Sequence, residues 1–274
     1  MLTGPGWQYE GRMTEPQIRF DDGAAYERMM GVWSQLAGEQ FLDWLAPAGS
    51  QHWIDVGCGN GAFTELIVRR CAPAGVDGVD PSEGQLAFAR TRPASRIARF
   101  KQGDAMALPY DDKTFDVAIM ALVIFFVPDP AKGVSEMARV VRTGGSLAAY
   151  AWDMYGGGFP WESVQSELRA LGQKIVYPPS ADASRINTMH QLWTNAGIAD
   201  VETREITVQR TFRDFDEFAS IGLNTPSIGP IVRAMPPGEV DKLKKRLRDR
   251  LAIDANGRIT YSARANAVKG RVGK

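Results

Sequence analysis

A glycine-rich turn stands between a short apolar run and a stretch with helical spacing, and it offers the clearest chemistry in the sequence. It reads Trp53-Ile54-Asp55-Val56-Gly57-Cys58-Gly59-Asn60-Gly61-Ala62. Glycines at a strand-to-helix turn adopt unusual dihedral angles and let a ligand touch the backbone, while the first helical turn offers free N–H donors. The turn therefore predicts a site for a nucleotide-like ligand.

The same turn fits two kinds of nucleotide site. Gly57, Gly59 and Ala62 satisfy the G-x-G-x-x-G/A spacing of dinucleotide-binding enzymes. Asp77 and Asp80 follow Gly57 by 20 and 23 residues, about where those enzymes place a carboxylate on a ribose. The glycine spacing alone leaves a dinucleotide and another nucleotide-like cofactor both open.

Two features favour a cofactor other than a dinucleotide. Asp55 precedes the first glycine by two residues, where its carboxylate would repel a pyrophosphate and suit a ligand that carries an ammonium group. The third glycine, Gly61, comes only two residues after Gly59, and Gly103-Asp104-Ala105 ends a third predicted strand. These acidic strand ends favour a ligand with several hydrogen-bond donors.

The elements that position these residues alternate between β-rich apolar runs and helical stretches. Strands are predicted at His52–Val56, Val76–Val79, Ile97–Gln102, Phe115–Val123 and Ser146–Trp152. Helices are predicted at Ala62–Cys71, Glu83–Arg90 and Ala131–Val141, after an amphipathic helix over Ala24–Leu45. This alternation implies βαβ units and a doubly wound α/β fold with a parallel sheet. Ligands bind at the carboxyl ends of such strands.

The regular alternation ends at Trp152. Asp153–Arg185 is rich in glycine, proline and aromatic residues and predicts a mobile connection around a short helix near Glu162–Leu171. Further helices are predicted at Asn187–Ala196, Asp214–Ile221 and Glu239–Leu251, and strands at Val201–Phe212 and Arg258–Lys269. We expect a leader over 1–23, a cofactor-binding core over 24–152 and an acceptor-binding region over 153–274.

Composition narrows the class of protein. The 274 residues are 44% hydrophobic and 23% charged, which is typical of a folded chain, and 32 basic residues balance 32 acidic ones. That balance argues against a general nucleic-acid or anionic-membrane binder. The longest apolar run, Val117–Val127, is too short to span a bilayer, and the first residues show no secretory-signal pattern. With only Cys58 and Cys71, the sequence predicts a cytoplasmic protein without a metal site.

Four motifs make the pattern specific. They read IDVGCGNGAF, GVDPSEGQLAFAR, QGDAMALPYDDKTFDVAIMALVIFFVPDP and ARVVRTGGSLAAY, and together they run from Ile54 to Tyr150. This arrangement resembles the class I S-adenosylmethionine-dependent methyltransferases, in particular the small-molecule branch of the ubiquinone/menaquinone-biosynthesis kind, methyltransferase type 11. The resemblance implies a Rossmann-like seven-stranded sheet of order 3-2-1-4-5-7-6. Its last strand is antiparallel, and helical insertions form a lid.

The resemblance also implies which residues bind the cofactor. They are Tyr26, Trp33, Asp55, Gly57, Cys58, Gly59, Gly61, Asp80, Pro81, Asp104, Ala105 and Leu122. Asp55 and the turn after it would face the amino acid part of S-adenosylmethionine, and Asp80 would accept from both ribose hydroxyls. Asp104 and Ala105 would bind the adenine ring, and Leu122 would lie near the methionine part. The aromatic faces of Tyr26 and Trp33 either attract the sulfonium or belong to the core.

The acceptor end departs from the family pattern. Where many relatives carry a polar residue after the fourth strand, this chain has Ile124-Phe125-Phe126-Val127, so we expect an apolar pocket. His190 is the one candidate general base, although a helix-surface histidine is the simpler interpretation. The basic run Lys242–Arg250 predicts an amphipathic helix with a solvated face.

The resemblance implies methyl transfer to an O, N or C atom of a small, apolar or aromatic molecule, with S-adenosylhomocysteine as the product. Three alternatives stay open at this stage. A non-catalytic S-adenosylmethionine-binding module would bind the cofactor without a second cavity. An NAD-dependent oxidoreductase would share the sheet and the turn. A macromolecular methyltransferase would use the basic run.

Overall fold

The computed structural model describes residues 30–273. Its helices are α1 Val32–Leu45, α2 Ala62–Cys71, α3 Glu83–Ala89, α4 Pro130–Val140, α5 Glu162–Ala170, α6 Ile186–Asn195, α7 Phe215–Gly222, α8 Gly229–Ala234 and α9 Pro237–Arg250. Its strands are β1 His52–Val56, β2 Gly75–Asp80, β3 Ala98–Gln102, β4 Phe115–Ala121, β5 Val141–Trp152, β6 Ile198–Phe212 and β7 Ile259–Val272. Short 3₁₀ turns lie at Pro93–Arg96, Ile124–Phe126 and Ala181–Ser184.

The strands of the described chain form one seven-stranded sheet of order β3-β2-β1-β4-β5-β7-β6. The first five strands pair in parallel, whereas β7 pairs antiparallel with both β5 and β6. This confirms the predicted α/β class, the strand order and the antiparallel last strand. The carboxyl ends of β1, β2 and β4 come together at one edge of the sheet, where the strand order reverses.

The sheet forms the centre of the hydrophobic core. Val117, Ala118, Ile119 and Met120 of β4 are each at most 1% exposed, which is typical of a parallel strand covered on both faces. The predicted strand Phe115–Val123 therefore packs in the middle of the sheet, where it ends at Ala121. Rigid central strands of this kind can hold their terminal loops in fixed positions.

Some element boundaries differ from the predictions. The β5 strand begins at Val141 and runs through Gly144 and Gly145, which were expected to break it; its pairing with β4 shifts between Phe115 and Val117. The α8 helix was not predicted, because its first residues Gly229 and Pro230 are typical helix breakers. Proline is nevertheless tolerated in the first helical turn, where its missing N–H has no intrahelical partner.

Candidate functional site

A cavity of about 1210 Å³ opens at the carboxyl ends of the parallel strands. Its floor is made by the residues that follow β1, β2, β3 and β4, namely Gly57–Asn60, Asp80–Ser82, Gly103–Ala105 and Ala121–Val123. A volume of this size exceeds the usual range of about 300–1,000 Å³ for one small ligand. The cavity therefore has room for two molecules side by side.

The glycine turn presents its backbone to the cavity. Gly57, with φ of 76°, is packed so closely that an added Cβ would lie 2.4 Å from Cγ1 of Val123. Gly59, with φ of 52°, has no atom within 4 Å of the position of its missing Cβ. Positive φ favours glycine at both positions, but the surroundings of the two glycines differ. The chain is tight behind Gly57, whereas the space beside Gly59 is open to a ligand.

Asp80, at the end of β2, turns its carboxylate toward the same space. Its Oδ2 accepts a hydrogen bond of 2.9 Å from the backbone N–H of Gly59, and its Oδ1 accepts one of 2.9 Å from that of Ser82. Burial raises the pKa of Asp80, and these two N–H donors oppose the rise. Each oxygen still has lone-pair capacity for a further donor. The carboxylate is therefore oriented by the protein and can accept from a pair of ligand hydroxyls.

Asp55 lies beneath the turn rather than in the cavity wall. Its side chain is 0% exposed, and Oδ2 accepts a 2.7 Å hydrogen bond from Oγ1 of Thr64. Its Oδ1 has no hydrogen-bond partner within residues 30–273. Burial raises the pKa of Asp55 to about 7; the Thr64 hydroxyl acts in the opposite direction, and the charge of Asp80 adds to the rise. Near neutral pH this carboxyl is therefore only partly ionised.

The loop after β3 brings Asp104 and Ala105 to the far side of the cavity. Asp104 is exposed, and its Oδ1 accepts a 2.8 Å hydrogen bond from the backbone N–H of Met106. That bond holds the carboxylate over its own loop, as in a typical Asx turn. The ends of β2 and β3 thus each place one carboxylate on the cavity.

The family model described as "Methyltransferase domain" matches residues 54–149, which contain the turn, Asp80, Asp104 and β4. Residues 54–149 are therefore similar to a methyltransferase domain, and this range is called the methyltransferase domain below.

Relatives of known sequence match less than half of this chain. The chain is 37% identical over 114 residues to the ubiquinone/menaquinone biosynthesis C-methyltransferase of Roseobacter denitrificans, covering 40% of this chain and 45% of that protein. It is 41% identical over 92 residues to the chloroplastic 2-methyl-6-phytyl-1,4-hydroquinone methyltransferase 2 of rice, covering 34% of this chain and 26% of that protein. The matches thus span less than half the length of these relatives.

Structural similarity extends further than sequence similarity. The phosphoethanolamine N-methyltransferase 2 of Haemonchus contortus, solved in complex with S-adenosyl-L-methionine, superimposes with a TM-score of 0.57 at 18% identity. The match covers 91% of this chain and 56% of that one. At such low identity the comparison shows a shared fold, which includes the C-terminal half that the family model does not reach.

Most of the expected cofactor residues line the cavity of the methyltransferase domain. Those in the wall are Gly57, Cys58, Gly59, Asp80, Pro81, Asp104, Ala105 and Leu122. Leu122 has φ of 62°, a conformation that is rare for a residue other than glycine. Its N–H donates to the carbonyl oxygen of Tyr150 at 2.8 Å, which fixes the turn that leaves β4. Their contact with a cofactor stays a prediction.

Trp33 and Gly61 occupy other places. Trp33 is 0% exposed and packs against Trp161, Phe212 and Tyr261 with ring centroids 6.3–6.5 Å apart. It is a core residue that anchors α1, which is the second of the two interpretations given above. Gly61 packs against α3 and β3, because an added Cβ would lie 3.0 Å from Cβ of Ala89. Tyr26 lies outside the described residues.

His190 is not brought to the site. It is exposed on α6, where Oγ1 of Thr194 lies 3.5 Å from its Nδ1, and it is absent from the cavity wall. This position fits the surface-histidine interpretation, and a role of His190 as general base stays a prediction that the geometry does not favour. The α6 helix packs mainly against β6 and β7.

The cover of the cavity comes from segments far apart in the sequence. Beyond the family motifs, the wall includes Ser34 and Gln35 of α1, the loop 174–179, and Pro226, Ser227, Pro230 and Ile231. Of the aromatic residues after Trp152 that the sequence pointed to, Tyr177 reaches the cavity, whereas Trp161, Trp193 and Phe218 are buried in the core. The Pro178-Pro179 pair was the available signal for this loop, since it favours an extended cover.

Other expected features concern the surroundings of the site. In α9, Leu243 and Leu247 are buried, while Arg246 and Arg250 bond to Glu167 of α5 at 2.5 and 2.9 Å. The basic run is therefore an amphipathic helix fastened to α5.

Among residues 30–273, no three His, Cys, Asp or Glu side chains are grouped as a metal site would need. No helix in that range combines the length and apolarity of a membrane span.

Proposed function

We propose that this protein transfers the methyl group of S-adenosylmethionine to an O, N or C atom of a small, apolar or aromatic molecule and releases S-adenosylhomocysteine. The methyltransferase domain and the two-molecule size of the cavity support this proposal. We further propose that residues 24–152 bind the cofactor, that 153–274 bind the acceptor, and that the protein acts in the cytoplasm.

The arrangement of Asp80 carries the proposal. Two backbone N–H groups, one from Gly59 and one from Ser82, hold the two carboxylate oxygens so that both can accept from vicinal ribose hydroxyls. The open space beside Gly59 then suits the rest of the nucleoside and its amino acid chain. Asp104, on the next loop, can accept from the exocyclic amino group of adenine.

S-adenosylmethionine supplies the methyl carbon, which bonds to the acceptor nucleophile as the carbon–sulfur bond breaks and its electron pair remains on sulfur. The protein's part is to align the two molecules and to exclude water. Leu122 and Val123, at the end of β4, line the cavity between the glycine turn and the cover. Alignment of this kind can supply much of the barrier reduction without a base, unless the nucleophile must first lose a proton.

The acceptor class follows from the remaining wall. Phe126, Val127, Ile175, Tyr177 and Ile231 line the cavity near the segments that cover it. Apolar and aromatic walls bind flat hydrophobic molecules and lower the local dielectric. One relative described above is named for ubiquinone/menaquinone biosynthesis and the other for a hydroquinone, which agrees with an aromatic acceptor of this kind.

Calorimetric titration with S-adenosylhomocysteine and, separately, NAD⁺ tests the cofactor. We expect binding of the first ligand only, and Asp80→Ala should weaken it by about 2–4 kcal/mol, or about 30- to 1,000-fold, because two hydrogen bonds to a carboxylate are lost. Asp77→Ala is the matched control, since Asp77 lies on the same strand outside the cavity wall. Tight binding of NAD⁺, or Asp80→Ala within threefold of the unmodified protein, would contradict the assignment.

Transfer itself is tested with S-adenosylmethionine that carries a labelled methyl group and a panel of phenols, hydroquinones and amines. Label recovered in one of these small molecules supports catalysis. A chain that binds S-adenosylhomocysteine yet transfers no label to the panel or to a metabolite extract would fit a binding module instead. Label recovered in RNA or protein, and lost in the triple variant K244A/K245A/R246A, would favour a macromolecular acceptor.

A further inference from the structure

The loop 103–112 has two sides. On one side Asp104 and Ala105 line the cavity; on the other the loop lies against α4. The loop contains no helix or strand, and its own backbone bonds include one from the N–H of Ala107 to the carbonyl of Asp104 at 3.0 Å. Its position therefore depends on neighbouring elements: β2 and β3 contact it through Asp77 and Lys101, and α4 holds its other side.

Arg139 of α4 binds this loop at three points. Its Nη2 donates to the carbonyl oxygen of Leu108 at 3.0 Å, and its Nη1 donates to the carbonyl oxygen of Tyr110 and to Oδ1 of Asp112, both at 2.8 Å. A guanidinium carries five N–H donors in a rigid planar fork, which allows one side chain to hold several acceptors at once. A single arginine thus holds three acceptors within residues 108–112.

Glu136, one helical turn earlier, completes the attachment. Its Oε2 accepts from the backbone N–H of Leu108 at 2.9 Å and from Nη2 of Arg139 at 2.8 Å. Leu108 therefore has both its N–H and its carbonyl held by side chains of α4. The bond to Arg139, followed by that to Leu108, lowers the pKa of Glu136 against the effect of burial, so the pair stays ionised.

Gly133 of α4 also lies near the same loop. An added Cβ there would lie 3.2 Å from Cγ1 of Val127 and 4.0 Å from the carbonyl oxygen of Ala105. The α4 helix thus approaches the Ala105 end of the loop through Gly133 and holds the Leu108–Asp112 end through Glu136 and Arg139. Both ends of the segment that carries Asp104 therefore lie against the same helix, α4.

We propose that Glu136 and Arg139 are positioning residues for recognition of the adenine ring. They touch no ligand themselves; they hold the loop so that the Asp104 carboxylate and the Ala105 N–H stand at hydrogen-bonding distance from the base. This inference rests on the proposed function, since it presumes an adenosyl cofactor. A binding site tolerates a misplacement of only about 0.5 Å before its hydrogen bonds weaken, so the attachment controls selectivity for the base.

The test compares S-adenosylhomocysteine with S-inosylhomocysteine, in which a carbonyl oxygen replaces the amino group that Asp104 would accept from. We expect the unmodified protein to prefer the adenine compound by about tenfold or more, because the carbonyl meets a carboxylate without a donor. Arg139→Lys should lower this preference to less than about threefold, because an ammonium keeps the charge but cannot span three acceptors. Asp104→Ala should abolish the preference and serves as the reference.

The matched control is Arg246→Lys, which alters an arginine bonded to the buried Glu167 far from the loop. It should lower thermal stability and leave the preference unchanged. Should Arg139→Lys fail to fold, Glu136→Gln replaces it, since it removes the carboxylate that accepts from Leu108. An unchanged preference in the variant that folds, or equal weakening of both ligands, overturns the inference alone. A chain that binds neither ligand overturns the proposed function and the inference with it.

Discussion

The buried carboxyl of Asp55 makes the stability of this protein depend on pH in an unusual direction. Burial raises the pKa of Asp55 from its ordinary value of 3.8 to about 7, while the bond from Thr64 works against the rise. In the unfolded chain the carboxyl releases its proton near the ordinary value. Between these two pKa values the unfolded state binds fewer protons than the folded state, so the free energy of unfolding falls as pH rises.

The size of the effect follows from the same pKa difference. A shift of about 3 units corresponds to about 4 kcal/mol, which is the largest loss that this single group can cause above pH 7. Asp55→Asn replaces the carboxyl by a neutral amide of nearly the same shape, so the loss should disappear. The variant is then expected to be more stable than the unmodified protein at pH 8 and similar to it near pH 4.

Urea denaturation at intervals between pH 4 and pH 8 measures the difference between the two proteins. Asp80, whose pKa is also raised, adds a slope of the same sign to both and cancels in that difference. Thr64→Val should extend the loss to higher pH, because it removes the hydroxyl that holds the pKa down. Asp249→Asn, on the exposed side of α9, is the control. Parallel curves for Asp55→Asn and the unmodified protein would refute this reasoning.

Variants at four other positions give contrasting expectations. Gly59→Ala should weaken binding of S-adenosylhomocysteine about tenfold or more in calorimetry, because its methyl group enters the cavity, and lower the free energy of unfolding by only about 1 kcal/mol. Gly57→Ala should cost about 2 kcal/mol or more in urea denaturation, because positive φ is joined by a clash with Val123. Trp33→Ala should lower the free energy of unfolding, measured in urea, by about 3–5 kcal/mol and leave the ligand affinity of the folded protein unchanged. His190→Ala should leave kcat/KM unchanged.

Each of these expectations has an outcome against it. Equal stability losses for Gly57→Ala and Gly59→Ala would mean that strain at positive φ outweighs the different surroundings of the two residues. A loss of cofactor affinity without a loss of stability in Trp33→Ala would support contact between the indole ring and the cofactor. A lower kcat for His190→Ala, with a changed pH profile, would require α6 to approach the acceptor.

The positions of the expected cofactor residues could be predicted because these residues lie at the ends of strands that are close together in the sequence. Gly57, Gly59 and Asp80 follow two neighbouring parallel strands, so their sequence positions determine their meeting at one sheet edge. The strand order, including the antiparallel β7, came from the resemblance and not from periodicity, since alternation along a strand does not identify its partners.

Burial against distant elements was beyond sequence reasoning. Asp55 has the sequence position of a ligand-binding carboxylate, yet its side chain points into the interior. There the hydroxyl of Thr64 donates a hydrogen bond to it. Trp33 was ambiguous because an aromatic residue on an amphipathic face packs equally well on a cofactor or a core. The contact with Trp161, 128 positions later in the sequence, decided the matter.

The cover of the cavity lies mostly outside the range that the family model matches. The loop 174–179 is fastened by Ser180, whose Oγ donates to the carbonyl oxygen of Val127 at 2.8 Å and whose N–H donates to that of Phe125 at 3.0 Å. The apolar 124–127 segment, which belongs to the methyltransferase domain, thus serves as the attachment for a wall outside it. Under the proposed function, a substitution in the loop changes the acceptor pocket without altering the expected cofactor residues. Acceptor choice can therefore diverge while the domain itself remains recognisable.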